Sequence, residues 1–320
     1  MLVHNIDPIL GTIGGVHLWW YGLSYTLGFL QIYLFLRRER LRLGLTPSQV
    51  HTLTLVFLAG VLVGGRAVEV AFDEWPFYRE HPWLIPAYWL GGMATHGLLL
   101  GAAAGTWIFA RWQRVPFLRL ADALVIPGAF LMGVGRIGNF IDGQIVGSLT
   151  DVPWAVKFPD TDGFRHPVVL YDGLKNLLLI PYLRAARNRP HPPGAIAARF
   201  VFWYAFLRIF IDLFRNYPTH RLDLGTGQTL NILMAILGAG LLLRSRLRRV
   251  GRLPPRQLSP VPPTASLVGD PSLLQRLALA GALVACLTIP SNWTQDIPAR
   301  YGKRHAGLEY SWLYPRVPEH

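Results

Sequence analysis

Eight apolar blocks divide the chain, at 17–36, 51–71, 93–110, 121–138, 167–184, 196–214, 226–243 and 272–290. Each has the ~20 residues a helix needs to cross ~30 Å of hydrocarbon. Alternating segments of ~10 residues, the mark of a transmembrane β-barrel, do not occur in the sequence. The pattern predicts an all-α, polytopic membrane protein with a seven-helix core and an eighth, C-terminal transmembrane helix. It divides the chain into a transmembrane core (1–250), a Pro-rich cytoplasmic linker (251–271, GRLPPRQLSPVPPTASLVGDP) and a C-terminal helix with a short external tail (272–320). The linker lacks apolar periodicity. The polar and aromatic tail is too short for a core of its own.

Composition agrees: 52% of residues are hydrophobic and only 15% are charged, with mean hydropathy +0.31, whereas a soluble domain carries roughly a quarter charged residues. The net charge of +13 would suggest nucleic acid in a soluble protein, but here its distribution excludes that reading. Arg37, Arg38, Arg40 and Arg42 follow the first block, Arg111, Arg114 and Arg119 the third, Arg184, Arg187 and Arg189 the fifth, and Arg244, Arg246, Arg248 and Arg249 the seventh. The alternate loops carry Asp73, Glu74, Asp151, Asp160 and Asp162. This is the positive-inside pattern, and it predicts an N-terminus outside the cytoplasm. A single cysteine, Cys286, allows no internal disulfide. The N-terminus has neither a basic n-region nor a small-residue cleavage site, so the first helix is expected to be retained.

Charged side chains inside apolar blocks are costly and normally face a cavity and a partner. Arg66 and Glu69 lie in the second block, and Arg208, Asp212 and Arg215 in or beside the sixth. By spacing, the last three are expected on one helix face. Arg136 sits among Gly133, Gly135, Gly138 and Gly143 in GVGRIGNFIDGQIVG, where glycine permits close backbone approach. Arginines converging on one cavity suit a phosphate, whose oxygens accept paired guanidinium donors, and the abundant membrane phosphate is phospholipid. The plainer reading makes Arg208–Asp212 an ion pair and lets Arg136 snorkel to the interface. His96, in GGMATHGLLLG, is a structural histidine or a general base. Tyr21, in WWYG, is a belt aromatic or a ligand contact. No Cys/His cluster suggests a metal.

The segments WWYGLSYTLGF, GGR (64–66), GGMATHG (91–97), GRIGNF (135–140), RHPVVLYDG (165–173), FLRIFIDLFR (206–215) and GQ (227–228) occur in that order. Together they resemble the bacterial prolipoprotein diacylglyceryl transferases over roughly residues 15–245. The resemblance implies a multi-pass enzyme of the bacterial plasma membrane that moves the diacylglyceryl group of phosphatidylglycerol onto the lipobox cysteine thiol of a prolipoprotein signal peptide, without a cofactor. It implies that Arg136 and Arg208 hold the phosphate and that His96 is the base. Tyr21 and Asn139 would orient the head group, with Asp142, Gln144, Gly147 and Asp212 as further substrate-binding positions. Two residues depart from the family pattern. Gln144 stands where a carboxylate is usual, and an amide cannot accept a proton as a base. Asp212 replaces a glutamate. These departures raise an alternative: a catalytically impaired paralogue that binds lipid or serves as a scaffold.

Beyond the resemblance, Arg276, the apolar run Leu277–Ala285 and Leu283-Val284-Ala285-Cys286 have the order of a lipoprotein signal. Cys286 is therefore either a lipidated acceptor or a small apolar filler in an ordinary helix.

Overall fold

The computed structural model describes residues 1–159, 161–215, 220–221, 224–250, 269–292 and 311–314. Asp160, most of the Pro-rich stretch 251–271 and most of the tail beyond Asn292 lie outside the described residues. The helices are α1 (Trp20–Leu43), α2 (Pro47–Val68), the short α3 (Trp75–Glu80), α4 (Thr95–Trp112), α5 (Phe117–Asp142), α6 (Val168–Arg187), α7 (Ala195–Asp212), α8 (Thr226–Val250) and α9 (Leu273–Cys286). Three spans, Pro47–Asp73, Phe117–Asp142 and Gly227–Leu247, are long and apolar enough to cross a membrane on length and composition alone. The protein is an all-α polytopic membrane protein. Its only strands among the described residues form two-stranded ladders, of which the antiparallel hairpin Ile9–Ile13/Val16–Trp19 is the longest.

Small residues decide how closely α2 and α4 approach. Gly60 and Gly64 face Gly97, Gly101 and Gly105, with backbone of one helix where a side chain of the other would stand. This is the small-residue interface that lets membrane helices pack through van der Waals contact. It fixes the start of α4, which carries Thr95 and His96. A turn of π-helix, Glu69–Asp73, extends α2.

The arginine-rich loops gather at one end of the bundle. Arg187 at the end of α6 pairs with Glu39 of α1 at 2.9 Å, and Asp122 of α5 reaches across to α7. Its carboxylate accepts from Gly194 N, Ile196 N and Ala197 N at 2.7–2.9 Å. A helix start leaves its first amides without partners and carries a partial positive charge, so a borrowed carboxylate both caps α7 and sets its depth.

The eighth block is shorter as a helix than its apolar length predicts. α9 has 14 residues, ~21 Å at 1.5 Å per residue. Below Cys286 the chain tightens: Leu287 N, Thr288 N and Ile289 N each donate three residues back. Counted to Asn292, the segment runs the full depth of α2. Gln275 Nε2 donates to Thr52 Oγ1 at 2.9 Å, and Asn292 Nδ2 donates to Glu69 Oε1 at 3.3 Å. Ser311–Tyr314 returns to the opposite end from the arginine loops, where the phenol of Tyr314 accepts from His17 N at 3.0 Å. Tyr314 packs there with Ile9, Trp19, Ala87 and Leu90.

Candidate active site

Three helices, α5, α6 and α7, converge on one buried carboxylate. Asp172 of α6 is fully buried, with Oδ2 at 2.6 Å from Arg136 Nε of α5 and 2.5 Å from Arg208 Nη1 of α7, and Oδ1 at 2.8 Å from Lys175 Nζ. Arg208 Nε pairs with Asp212 at 2.9 Å, one turn along α7. Asn231 Nδ2 of α8 donates to the other oxygen of Asp212 at 2.9 Å. Lys175 lies over the Tyr204 ring, 3.8 Å from its centroid, and donates to the Tyr204 carbonyl. The cluster sets three cations, Arg136, Lys175 and Arg208, against two carboxylates, Asp172 and Asp212. A buried ionic group left without a counter-charge is costly. Among the described residues the cluster therefore carries one cation in excess, a balance that an anionic ligand would restore.

Arg136 is the most open member, its side chain 13% exposed against 9% for Arg208. Besides Asp172 it donates to Asn139 Oδ1 at 3.0 Å and Thr95 Oγ1 at 3.2 Å. Three of its five N–H groups are thus engaged among the described residues, two of them by neutral oxygens that a phosphate could replace. Asn139 Nδ2 in turn donates to Ser291 Oγ at 2.9 Å.

His96, one residue past Thr95, lies within electrostatic reach of Arg208, Asp212 and Arg136. Its Nε2 makes no hydrogen bond of ordinary geometry among the described residues, and the Asn231 side chain stands alongside. Tyr21 is no belt aromatic. It is buried, its hydroxyl 3.1 Å from that of Tyr25, and it packs against Gly138.

Several expectations change. Gly133, Gly135 and Gly138 lie inside α5, which runs unbroken to Asp142, so Arg136 projects from a helix and not from an irregular turn. Gly133 and Gly138 are packing contacts, against Leu177 and Tyr21. Only Gly143, the helix cap, takes the left-handed conformation, at φ 69°, which favours glycine. Arg215 leaves the face shared by Arg208 and Asp212 because α7 stops at Asp212; it forms a bridge with Gly147 instead. Gly147 is fixed by that bridge and by His166, outside the cation cluster. Asp142 is fully buried beneath the cap. Gln144 donates to the carbonyl of Asn292 at 2.9 Å. Cys286 is fully buried in the core with Tyr25 and Ile289, so chemistry at its thiol requires α9 to leave its seat.

Asp172, Lys175, Asn231 and Thr95 were not anticipated. The signal for the first two was available: an acid and a lysine three apart in the apolar run VVLYDGLKNLLLI, since an ionisable residue at membrane depth marks function. Arg66 has a different task. It donates to the carbonyls of Ile85, Leu84, Ala87 and Gly91 and to the Tyr78 hydroxyl, lashing the loop after α3 to α2. Burial pushes the Tyr78 phenol up to about 12, so it stays neutral while accepting from Arg66.

The chain is similar to known proteins over most of its length. The family model described as "Prolipoprotein diacylglyceryl transferase" matches residues 8–244. The chain is 36% identical over 256 residues to the "Phosphatidylglycerol--prolipoprotein diacylglyceryl transferase" of Geobacter sulfurreducens, covering 77% of this chain and 98% of that protein. It is 37% identical over 261 residues to that of Aromatoleum aromaticum, with the same two coverages. It is 34% identical over 244 residues to that of Legionella pneumophila, covering 73% and 95%.

Proposed function

The chain belongs to the prolipoprotein diacylglyceryl transferase family, and from that premise we propose that it transfers the diacylglyceryl group of phosphatidylglycerol to the lipobox cysteine of a prolipoprotein, at the cluster centred on Asp172. The observation that carries the assignment to this site is the convergence of Arg136 and Arg208 on one oxygen of Asp172. It presents two guanidinium groups side by side in a cluster with one cation in excess among the described residues.

In this reading the phosphate of phosphatidylglycerol enters between Arg136 and Arg208, displacing the neutral contacts of Arg136 with Asn139 and Thr95. The acceptor thiol gives its proton to Nε2 of His96. The thiolate sulfur then attacks the glycerol carbon of the diacylglyceryl group that bears the phosphate. The C–S bond forms as the C–O bond breaks, and glycerol phosphate leaves with the bonding pair. The charge that grows on the leaving phosphate is met by donors already in place, which in a site shielded from water is the largest source of rate enhancement. Asp172 is a positioning residue that holds both guanidiniums aimed before the lipid arrives. Tyr21, Asn139 and Asp142 line the approach from α1 and α5, and Asp212 orients Arg208.

By loop charge, the arginine-rich end faces the cytoplasm of a bacterial plasma membrane and the N-terminus lies outside. The site's outer half then opens on the side where secreted preproteins arrive. The test is complementation. In cells depleted of their own diacylglyceryl transferase, this chain should restore lipoprotein maturation. Continued accumulation of unmodified precursor, with the protein present in the membrane, counts against the function.

A further inference from the structure

α9 and the turn after it lie beyond the family match at 8–244, yet their polar anchors are made to the matched core. At the arginine-rich end Gln275 Nε2 donates to Thr52 Oγ1 at 2.9 Å. Midway, Thr26 Oγ1 donates to the Leu283 carbonyl at 2.8 Å. Below the helix, Trp19 N donates to the Leu287 carbonyl at 2.9 Å, and Gly92 N to the Ser291 carbonyl at 2.8 Å. Gln275 to Asn292 and Thr52 to Glu69 are each seventeen residues apart, so the segment keeps pace with α2 between its two end anchors. Gly22 of α1 has no side chain where the Cys286 and Leu287 carbonyls pass. The groove between α1 and α2 is cut to hold a helix.

What fills it has the order of an acceptor signal: a cation, an apolar run, Leu-Val-Ala-Cys, then polar residues. It also runs the same way, from the arginine-rich end to the other. Its polar end enters the reaction site. Ser291 Oγ accepts from Asn139, the partner of Arg136, and Asn292 Nδ2 donates to Glu74 at 2.6 Å and to Glu69. Cys286 packs with Tyr25, which contacts Tyr21 beside Arg136. Gln144 fits the same picture. Its amide donates to the Asn292 carbonyl, a bond that a carboxylate cannot make.

We propose that Leu273–Asn292 is an internal mimic of the acceptor, seated in the α1–α2 groove where the signal helix of a prolipoprotein docks. Tethering gives it a local concentration toward millimolar, so only acceptors that displace it reach the site. Its own thiol faces core rather than reactant and stays unmodified. The inference rests on the functional reading above.

The test uses the full chain in phosphatidylglycerol vesicles, with a photoreactive residue in place of Thr52 and a synthetic lipobox signal peptide as acceptor. Without peptide, irradiation should link position 52 to α9. With saturating peptide, that product should fall by roughly half or more as the peptide takes its place. In the chain that keeps Thr52, Gln275→Ala, which removes the bonds to Thr52 and Ser48 at the arginine-rich end, should lower the peptide KM by about fivefold or more, the worth of at least one hydrogen bond. An undiminished internal cross-link while the peptide is being modified would show that acceptors dock elsewhere and overturn the mimic. So would a diacylglyceryl adduct on Cys286, which would make the segment a substrate. If no vesicle preparation modifies the peptide, the functional reading itself fails.

Discussion

Arg136 and Arg208 meet on one atom, Oδ2 of Asp172, at 2.6 and 2.5 Å from two different helices. Two guanidiniums brought this close would repel without the carboxylate between them. In the proposed function a phosphate arriving at the same place takes over part of that role.

Arg136 is expected to act through its fork. Arg136→Lys keeps the charge but offers a point ammonium that cannot hold Asp172, Asn139 and Thr95 together. Transfer should drop by about 10²–10³, the cost of losing one well-aimed donor to a developing oxyanion. Kinetics in phosphatidylglycerol vesicles, beside a melting curve showing an intact fold, check this. A lysine variant with the full rate would remove Arg136 from the site.

Asp172→Asn should cost stability. It leaves three buried cations facing Asp212 alone, and breaking a buried ionic group this way costs about 3–5 kcal/mol. Thermal unfolding in detergent should show a clearly lower Tm than for Glu39→Gln, which loosens the partly exposed pairs with Arg187 and Arg42. Equal Tm values would mean that the cluster is not held by its carboxylate.

If His96 takes the thiol proton, the acid limb of the pH–rate profile belongs to it. Protonated, it cannot serve as base, so the rate falls as pH drops through its titration. His96→Gln should be slow and should lose that limb. A variant that keeps the same acid limb would assign the proton to another group.

Gln144→Glu bears on the C-terminal segment. It replaces a donor to the Asn292 carbonyl with a carboxylate, near Glu69 and Glu74, which Asn292 already bridges. The segment should loosen, and the acceptor KM should fall by about the fivefold expected from losing one hydrogen bond. An unchanged KM would mean that Gln144 does not hold the segment during turnover.

Helices were legible where crossing a membrane imposes length and apolarity, as at Pro47–Val68 and Phe117–Asp142. Arg136, Arg208 and Asp212 stood out for a similar reason, as charges in apolar runs. Asp172 and Lys175 carry the same signal, the first inside the motif RHPVVLYDG and the second two residues beyond it. Which cation meets which carboxylate depends on helix rotation and depth, set by contacts such as Gly60 with Gly101 and Asp122 with the start of α7. No local pattern encodes those. The glycines around Arg136 misled for the opposite reason: glycine marks close packing as readily as a turn, and only Gly143 at φ 69° is the latter.

One reaction tests the proposed activity most directly. The purified full chain, phosphatidylglycerol in vesicles and a lipobox peptide should yield a peptide whose cysteine gains the mass of one diacylglyceryl group, together with released glycerol phosphate, and Arg136→Lys should yield neither at a comparable rate. A peptide of unchanged mass and no glycerol phosphate, from protein that is folded and binds the lipid, would contradict it.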